Sequence, residues 1–388
     1  MINIKKERLT ALLGYFAMVL FSVLFIVIGN KIAVGEQKFF ARDDGTEILA
    51  AKVDKVISRE EDRQDMGSVE RVTVTIDFEA TVIRGEHKGM QLQAQQINDS
   101  FMAVGYKEVE AGDKLLLYGY DDGQETHWLM HEYLRSDALI VLAAVFIVLL
   151  LIYGRKKGFH SVLALGFTCL SIFLVFIPAI LSGKNIYAAS FILMAFITVM
   201  TLTLVNGFNR KSLSAGIGLF GGLAAAAVVF GLTDIFLKLS GYVSEESIYL
   251  AYVNPANPID LKAILFAGIL LGALGAVMDV AVSIAASLQE VHDSAEDPTF
   301  ASLMRSGLNI GQDMLGTMMN TLVLAYIGSS LSLVLILIVY SNSLLELFNK
   351  EMIVVEVLQS LAGSVGLLAA IPLTTLVSSY IYIHKRKS

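Results

Sequence analysis

The segment Leu261-Lys-Ala-Ile-Leu-Phe-Ala-Gly268-Ile-Leu-Leu-Gly272-Ala-Leu-Gly275-Ala-Val-Met-Asp279-Val-Ala-Val-Ser283-Ile-Ala-Ala286-Ser-Leu-Gln-Glu290 decides the reading of this chain. Its small and polar residues, Gly268, Gly272, Gly275, Asp279, Ser283, Ala286 and Glu290, recur every three or four positions, which places them on one face of an α-helix. Asp279 and Glu290 are eleven apart, so at about 100° per residue they lie within about 20° of each other around the axis. The remaining faces carry Leu270, Leu271, Val277, Val280 and Ile284 for lipid or for packing. Such a helix is long and apolar enough to cross a bilayer, and its glycines let another backbone approach closely. A carboxylate inside it costs about 2.5 to 3.5 kcal/mol on insertion scales, so Asp279 must face a cavity, find a partner or take up a proton. The plainer alternative is a neutral Asp279 that hydrogen-bonds a neighbouring helix.

The next apolar segment carries a second polar stripe. In Gly307-Leu-Asn-Ile-Gly-Gln-Asp313-Met-Leu-Gly316-Thr317-Met-Met-Asn320-Thr-Leu, Asp313, Gly316 or Thr317, and Asn320 share a helical face. Two polar faces entering from one side of the membrane point to a common polar cavity lined by Asp279, Ser283, Glu290, Asp313, Thr317 and Asn320, with Gly268, Gly272, Gly275 and Gly316 as close-packing positions. Asp313 also suits a helix N-cap. Glu290, His292, Asp293, Glu296 and Asp297 crowd the connecting loop, which reads as a solvated acidic loop or a cation vestibule. Earlier in the chain, Gly216, Gly218, Gly221 and Gly222 mark a closely packed helix. Asp234 and Lys238 are spaced as an i, i+4 pair near its end, and Asn206 with Asn209-Arg-Lys reads as a topology anchor.

Eight apolar segments qualify as spans or come close: 9–28, 138–153, 161–181, 186–205, 213–237, 261–287, 314–339 and 354–383. The whole chain of 388 residues is 55% hydrophobic and only 17% charged, which fits a bilayer protein and not a soluble one. Residues 36–137 hold 22 acidic and 12 basic residues, net −10; subtracted from the chain's −7 this leaves +3 for the rest. The sequence therefore divides into a first span at 1–35 acting as a signal-anchor, an acidic soluble domain at 36–137 and a seven-helix membrane domain at 138–388. With the N-terminus inside, twelve of the 17 basic residues outside the soluble domain fall on the cytoplasmic side, among them Lys5, Arg155, Lys156, Lys157, Arg210, Lys211, Arg305 and Lys385. Both termini are then cytoplasmic and the acidic domain is extracytoplasmic. A cleaved signal peptide is the rival reading of the first span, but no small-x-small cleavage site follows it.

The external domain reads as β-rich. Arg71-Val-Thr-Val-Thr-Ile-Asp-Phe alternates, Lys114-Leu-Leu-Leu-Tyr is a short apolar strand, and Gly85, Gly89, Gly105 and Gly112 punctuate them. Short, closely spaced strands imply a small barrel or sandwich, OB-like being one such topology. His127 and His131 are spaced for two metal ligands on a helical face without a third, while Trp128 and Tyr133 read as an aromatic belt before the second span. Arg59-Glu-Glu-Asp-Arg-Gln-Asp reads as a solvated mobile loop. Cys169, the single cysteine, lies buried in an apolar run and excludes an intrachain disulfide or a thiolate metal site. No phosphate-binding glycine loop, nucleophile elbow, zinc-protease pair or dinucleotide fingerprint is present, so no cofactor is expected and nucleic acid is an unsuitable partner for so acidic a soluble domain.

The stretches Gly272-Ala-Leu-Gly-Ala-Val-Met-Asp-Val-Ala-Val-Ser-Ile-Ala-Ala-Ser and Gly307-Leu-Asn-Ile-Gly-Gln-Asp-Met-Leu-Gly-Thr-Met-Met-Asn-Thr-Leu-Val-Leu-Ala-Tyr-Ile-Gly, together with Asn206-Gly-Phe-Asn-Arg-Lys, resemble the YibE/F family of bacterial membrane proteins. The likeness extends from the β-rich domain to the seventh span; Gln312 departs from it where a basic residue is expected. It implies a multi-pass protein of the bacterial cell membrane, with a second family member or a second copy as partner, and leaves the activity open. The residues themselves point to an ion-coupled secondary transporter or exporter. A non-catalytic envelope scaffold or signalling protein that binds through its external domain is the alternative, and intramembrane hydrolysis by Asp279 and Asp313 a third.

Overall fold

The computed structural model describes residues 2–35, 47–67, 70–101, 107–121, 126–253 and 258–384. The chain divides into two compact units, one of residues 1–37 and 150–388 and the other of Lys38–Leu149.

The smaller unit is a closed barrel of strands β1 (Glu47–Asp65), β2 (Glu70–Val82), β3 (Gln91–Asp99), β4 (Lys114–Asp121) and β5 (Thr126–Tyr133) in the order β1-β2-β3-β5-β4. All pairings are antiparallel except β3 with β5, where Ala94 pairs with Trp128 and Gln95 with Leu129. Alternation along the strands sends Ile76, Phe78, Ala80, Leu115 and Leu117 into a core closed by Trp128. β4 pairs with β1 from Glu47 to Lys52, and the rest of β1 to Asp65 pairs with β2 alone. Gly85, Gly89 and Gly112 take positive φ at turns, as expected of them; Gly105 lies outside the described residues.

Three sequence expectations for this unit are overturned. Arg59 to Asp65 is strand, not a mobile loop, because β2 supplies backbone partners from Ile76 to Glu70 and Glu61 bridges Arg59 and Arg63. Trp128 is a core residue, 9% exposed, and belongs to no aromatic belt; Tyr133 donates its hydroxyl to the Lys107 carbonyl at 2.8 Å. His127 and His131 stand on strand β5 against Tyr120 and Tyr118, not on a helix, and no cluster of three metal-ligating side chains exists among the described residues.

The larger unit is helical. Its elements are α1 (Ile2–Val34), α2 (Ser136–Ser171, whose first turns belong to the smaller unit), a π-helical turn at Ile172–Phe176, α3 (Ile177–Leu181), α4 (Ile186–Asn206), α5 (Arg210–Leu237), α6 (Glu245–Tyr252), α7 (Leu261–Ser294), α8 (Phe300–Ser329), α9 (Leu331–Val339), α10 (Leu344–Asn349) and α11 (Glu351–His384). Among the described residues, six helical segments are long and apolar enough to cross a membrane, or seven if the bent pair of α8 and α9 is one span. The eight expected spans differ from this count because 136–181 forms one 46-residue segment where two spans were read. That segment is broken at Arg155, whose φ of 49° is non-helical. The 59° bend between α8 and α9 has a local cause: Ser329 and Ser330 both donate their hydroxyls to the Tyr326 carbonyl, at 2.9 and 2.7 Å.

The core of this unit is α11 packed against α5, α7 and α8. Small residues set the separation of α5 and α11. A Cβ at Gly222 would stand 2.6 Å from the Gly366 carbonyl oxygen, and one at Gly366 would stand 3.0 Å from that of Gly222. The sequence marked α5 correctly as a closely packed helix. It erred on Asp234, which pairs with Lys262 of α7 at 3.1 Å, while Lys238 ends α5 in a left-handed conformation. Cys169 is exposed on the chain surface, not buried.

Candidate functional site

Asp260 starts α7 by accepting the Ala263 N–H, and the helix runs unbroken to Ser294. Its buried side is Leu270, Ala273, Leu274, Val277, Val280, Ala281, Ile284 and Leu288. The polar stripe is on the opposite side. Gly268, Gly272, Gly275, Asp279 and Glu290 are exposed on the surface of the single chain, and Ser283 is half-buried.

The same holds for α8. Thr299, fourteen residues before Asp313, caps this helix with Ser302 in a reciprocal box, so Asp313 is no cap. Leu303, Gly307, Gly311 and Leu322 face the bundle. Asp313, Gly316, Thr317 and Asn320 are exposed. Thr317 donates its hydroxyl to the Met314 carbonyl at 3.0 Å.

Two contacts fix how α7 and α8 align. Tyr326 lies over Gly272, and Leu288 lies against Gly307. Interpolating between them puts Asp279 at about the level of Thr317 and Ser283 at about that of Asp313, given equal rise along antiparallel helices. The structure thus brings the two stripes to matching levels on the chain's outer surface, without enclosing them in a cavity. No hydrogen bond or ion pair among the described residues reaches Asp279, Glu290, Asp313 or Asn320. Of the four glycines read as packing positions, Gly272 alone meets a neighbour among the described residues; Gly268, Gly275 and Gly316 have no such neighbour within 4 Å of a built Cβ. Glu290 and His292 belong to the last turns of α7 and not to a loop, with His292 Nδ1 2.9 Å from Asp293.

This part of the chain has a match among known families. Residues 142–384 match the YibE/F-like protein family. The chain belongs to that family. The YibE/F-like region takes in both stripes and the Asn206-Gly-Phe-Asn-Arg-Lys segment, and it begins after the barrel, so the likeness read from the sequence for the β-rich domain lies outside it. No curated protein and no solved structure matches the chain.

Several polar groups of the YibE/F-like unit were missed by sequence reasoning. Tyr326, which covers Gly272, has a buried hydroxyl without a hydrogen-bond partner among the described residues. Thr374, Thr375, Ser378 and Ser379 of α11 are fully buried, with Thr374 against Gly218 and Thr375 against Gly307. They act there as small residues in a close crossing. Asn209, read as part of a topology anchor, caps α5 by accepting the Ser212 N–H at 2.9 Å.

Proposed function

We propose that this chain is a subunit of an ion-coupled membrane transporter or exporter whose polar pathway is completed when a second chain covers the open faces of α7 and α8. The observation that carries this reading is the outward position of Asp279 within a span-length apolar helix. Facing lipid, its carboxylate would cost about 2.5 to 3.5 kcal/mol. A second copy, or another member of the family, removes that cost by packing on Gly268 and Gly275, whose open Cα positions admit a backbone. Asp279 then exchanges a proton or cation, with Ser283, Asp313, Thr317 and Asn320 along the same seam.

The accompanying topology is a multi-pass protein of the bacterial cell membrane with both termini cytoplasmic and the barrel outside. It requires an even number of crossings, eight if the segment 136–181 crosses twice, and what supports that is its length: 46 residues at about 1.5 Å each are twice the thickness of the hydrocarbon core, with an interruption at Arg155. The barrel is read as OB-like from its five strands and their order.

The test pairs association with flux. In a Cys169→Ala background, Gly275→Cys should cross-link two full-length chains in native membranes. Asp279→Asn in reconstituted vesicles should abolish ion-driven acidification, followed with a lumenal pH dye, at unchanged expression. A chain that stays monomeric and an Asp279→Asn variant indistinguishable from wild type would sink the proposal.

A scaffold role has one observation of its own: a cleft of about 630 Å³ beside the parallel β3–β5 pairing, walled by Asp77, Gln93, Gln95 and His127. On that reading, filling the cleft with Gln95→Trp removes the phenotype while vesicle flux persists.

A further inference from the structure

A second polar feature lies in the helical unit, at the end that carries its basic residues. A cavity of about 710 Å³ is walled by Tyr15 of α1, by Lys156, Lys157 and His160 of α2, and by the last turn of α4 with Asn206 and Phe208. Among the described residues no acidic side chain lines it, and neither lysine has an ion-pair partner. Two further polar atoms in its wall are unspent. The Tyr15 hydroxyl and His160 Nδ1 are shielded from solvent and lack a hydrogen-bond partner among the described residues, although the two rings meet edge to face at 4.5 Å. A membrane anchor accounts for two exposed lysines. It does not account for a concave site, nor for two buried polar groups left without partners, which native proteins rarely tolerate.

We infer that this cavity binds the phosphate group of an anionic ligand. The chemistry is complementary: two ammonium groups supply charge, the Asn206 amide supplies a hydrogen bond, and the shielded Tyr15 hydroxyl and His160 Nδ1 supply theirs once a rotation of the two side chains turns them to the phosphate oxygens. The two ammonium groups repel a cation, and no carboxylate stands among the described lining residues to offset them. The neighbouring groove of about 440 Å³ shares Thr203 and Phe208 with this cavity and is lined chiefly by apolar side chains such as Leu202, Leu213 and Phe220. An acyl chain seated there would place a phospholipid headgroup at the lysines. Free phosphate offers the same group without the chain, and the experiment separates the two sources.

The full-length protein, purified in detergent, is incubated with equimolar phosphatidylglycerol and phosphatidylcholine, and the retained lipid is quantified by mass spectrometry; inorganic phosphate binding is measured in parallel by calorimetry. Selective retention of phosphatidylglycerol, unmoved by millimolar phosphate, supports the site with lipid as its source. Saturable binding of inorganic phosphate that displaces the lipid supports the site with a soluble source. In either case the Lys156→Gln, Lys157→Gln double variant should bind about 30-fold more weakly. The Lys156→Arg, Lys157→Arg variant should retain binding, which separates loss of the site from loss of membrane insertion. Tyr15→Phe leaves every charge in place and should still weaken binding several-fold. Equal retention of the two lipids without phosphate binding, or glutamine and phenylalanine variants that bind like wild type, would overturn the inference.

Discussion

A single glycine holds the barrel core in place. Gly119 lies beneath the ring of Trp128, and a built Cβ would stand 2.7 to 3.1 Å from three of its ring carbons. Gly119→Ala should therefore displace the indole and destabilise the barrel by about 1 to 3 kcal/mol, as overpacking does. Trp128 is the one tryptophan in the chain, so its fluorescence during thermal unfolding of the full-length protein reads this directly. The same signal reports on Arg71 and Asp99, which tie β2 to β3. Arg71 Nε donates to the Asp99 carboxylate at 3.0 Å, and Phe101 N–H adds a bond at 3.0 Å; the guanidinium first, and then that amide, hold the Asp99 carboxyl below the usual carboxylate range. A depressed folded-state value stabilises above the unfolded value of about 3.9 and loses its effect as the pH falls through the folded one. The barrel midpoint should accordingly be insensitive to this pair from pH 7 to 5 and fall below about pH 4. Asp99→Asn should lower the neutral-pH midpoint and flatten that acid limb; an acid limb identical to wild type would remove the pair from the explanation.

Between elements, glycines of like appearance do opposite things. Gly222 of α5 meets the Gly366 carbonyl, Val277 and Ala370 within 2.9 Å of a built Cβ, and two of those three belong to the α11 crossing. Gly222→Ala should cost about 1 to 3 kcal/mol in helical stability followed by ellipticity in detergent. Gly275 of α7 meets nothing, so Gly275→Leu should leave that stability unchanged or slightly raised. If a second chain packs on α7, the same substitution should abolish the cross-linked pair. These two glycines also show what sequence can and cannot tell. Spacing at 3.6 residues identified a small-residue face on both helices, because periodicity depends on one helix alone, while the end of α7 at Ser294 lies seven residues beyond the span read from the sequence. Whether the approaching backbone belongs to the same chain depends on how α11 inserts among α5, α7 and α8, and no local pattern encodes that. Asp313 was ambiguous for a related reason. Its distance from the helix start decides between a cap and a face residue, and Thr299 with Ser302 starts α8 well upstream. Tyr15 and His160 were invisible, being lone polar residues on separate helices whose meeting is a tertiary event.

At the level of the molecule, the chain builds two cores that share no residue: one inside the barrel around Phe78, Leu115 and Trp128, and one among the helices around Val277, Ile284, Leu358 and Ala370. The division is already present in the sequence, where 34 of 65 charges fall in residues 36–137, because a barrel this small must present charge outward while the helices must not. Separate cores predict separable unfolding. In the full-length protein, Gly119→Ala should shift the Trp128 transition and leave the ellipticity transition near wild type, while Gly222→Ala should do the reverse. Combining them should give the sum of the two shifts within about 0.5 kcal/mol, as expected of sites in separate cores without shared partners. A coupling larger than that, or one transition seen by both probes, would show that the barrel and the helices fold as a single cooperative body, and the deletion of either could not then be used to assign function to the other.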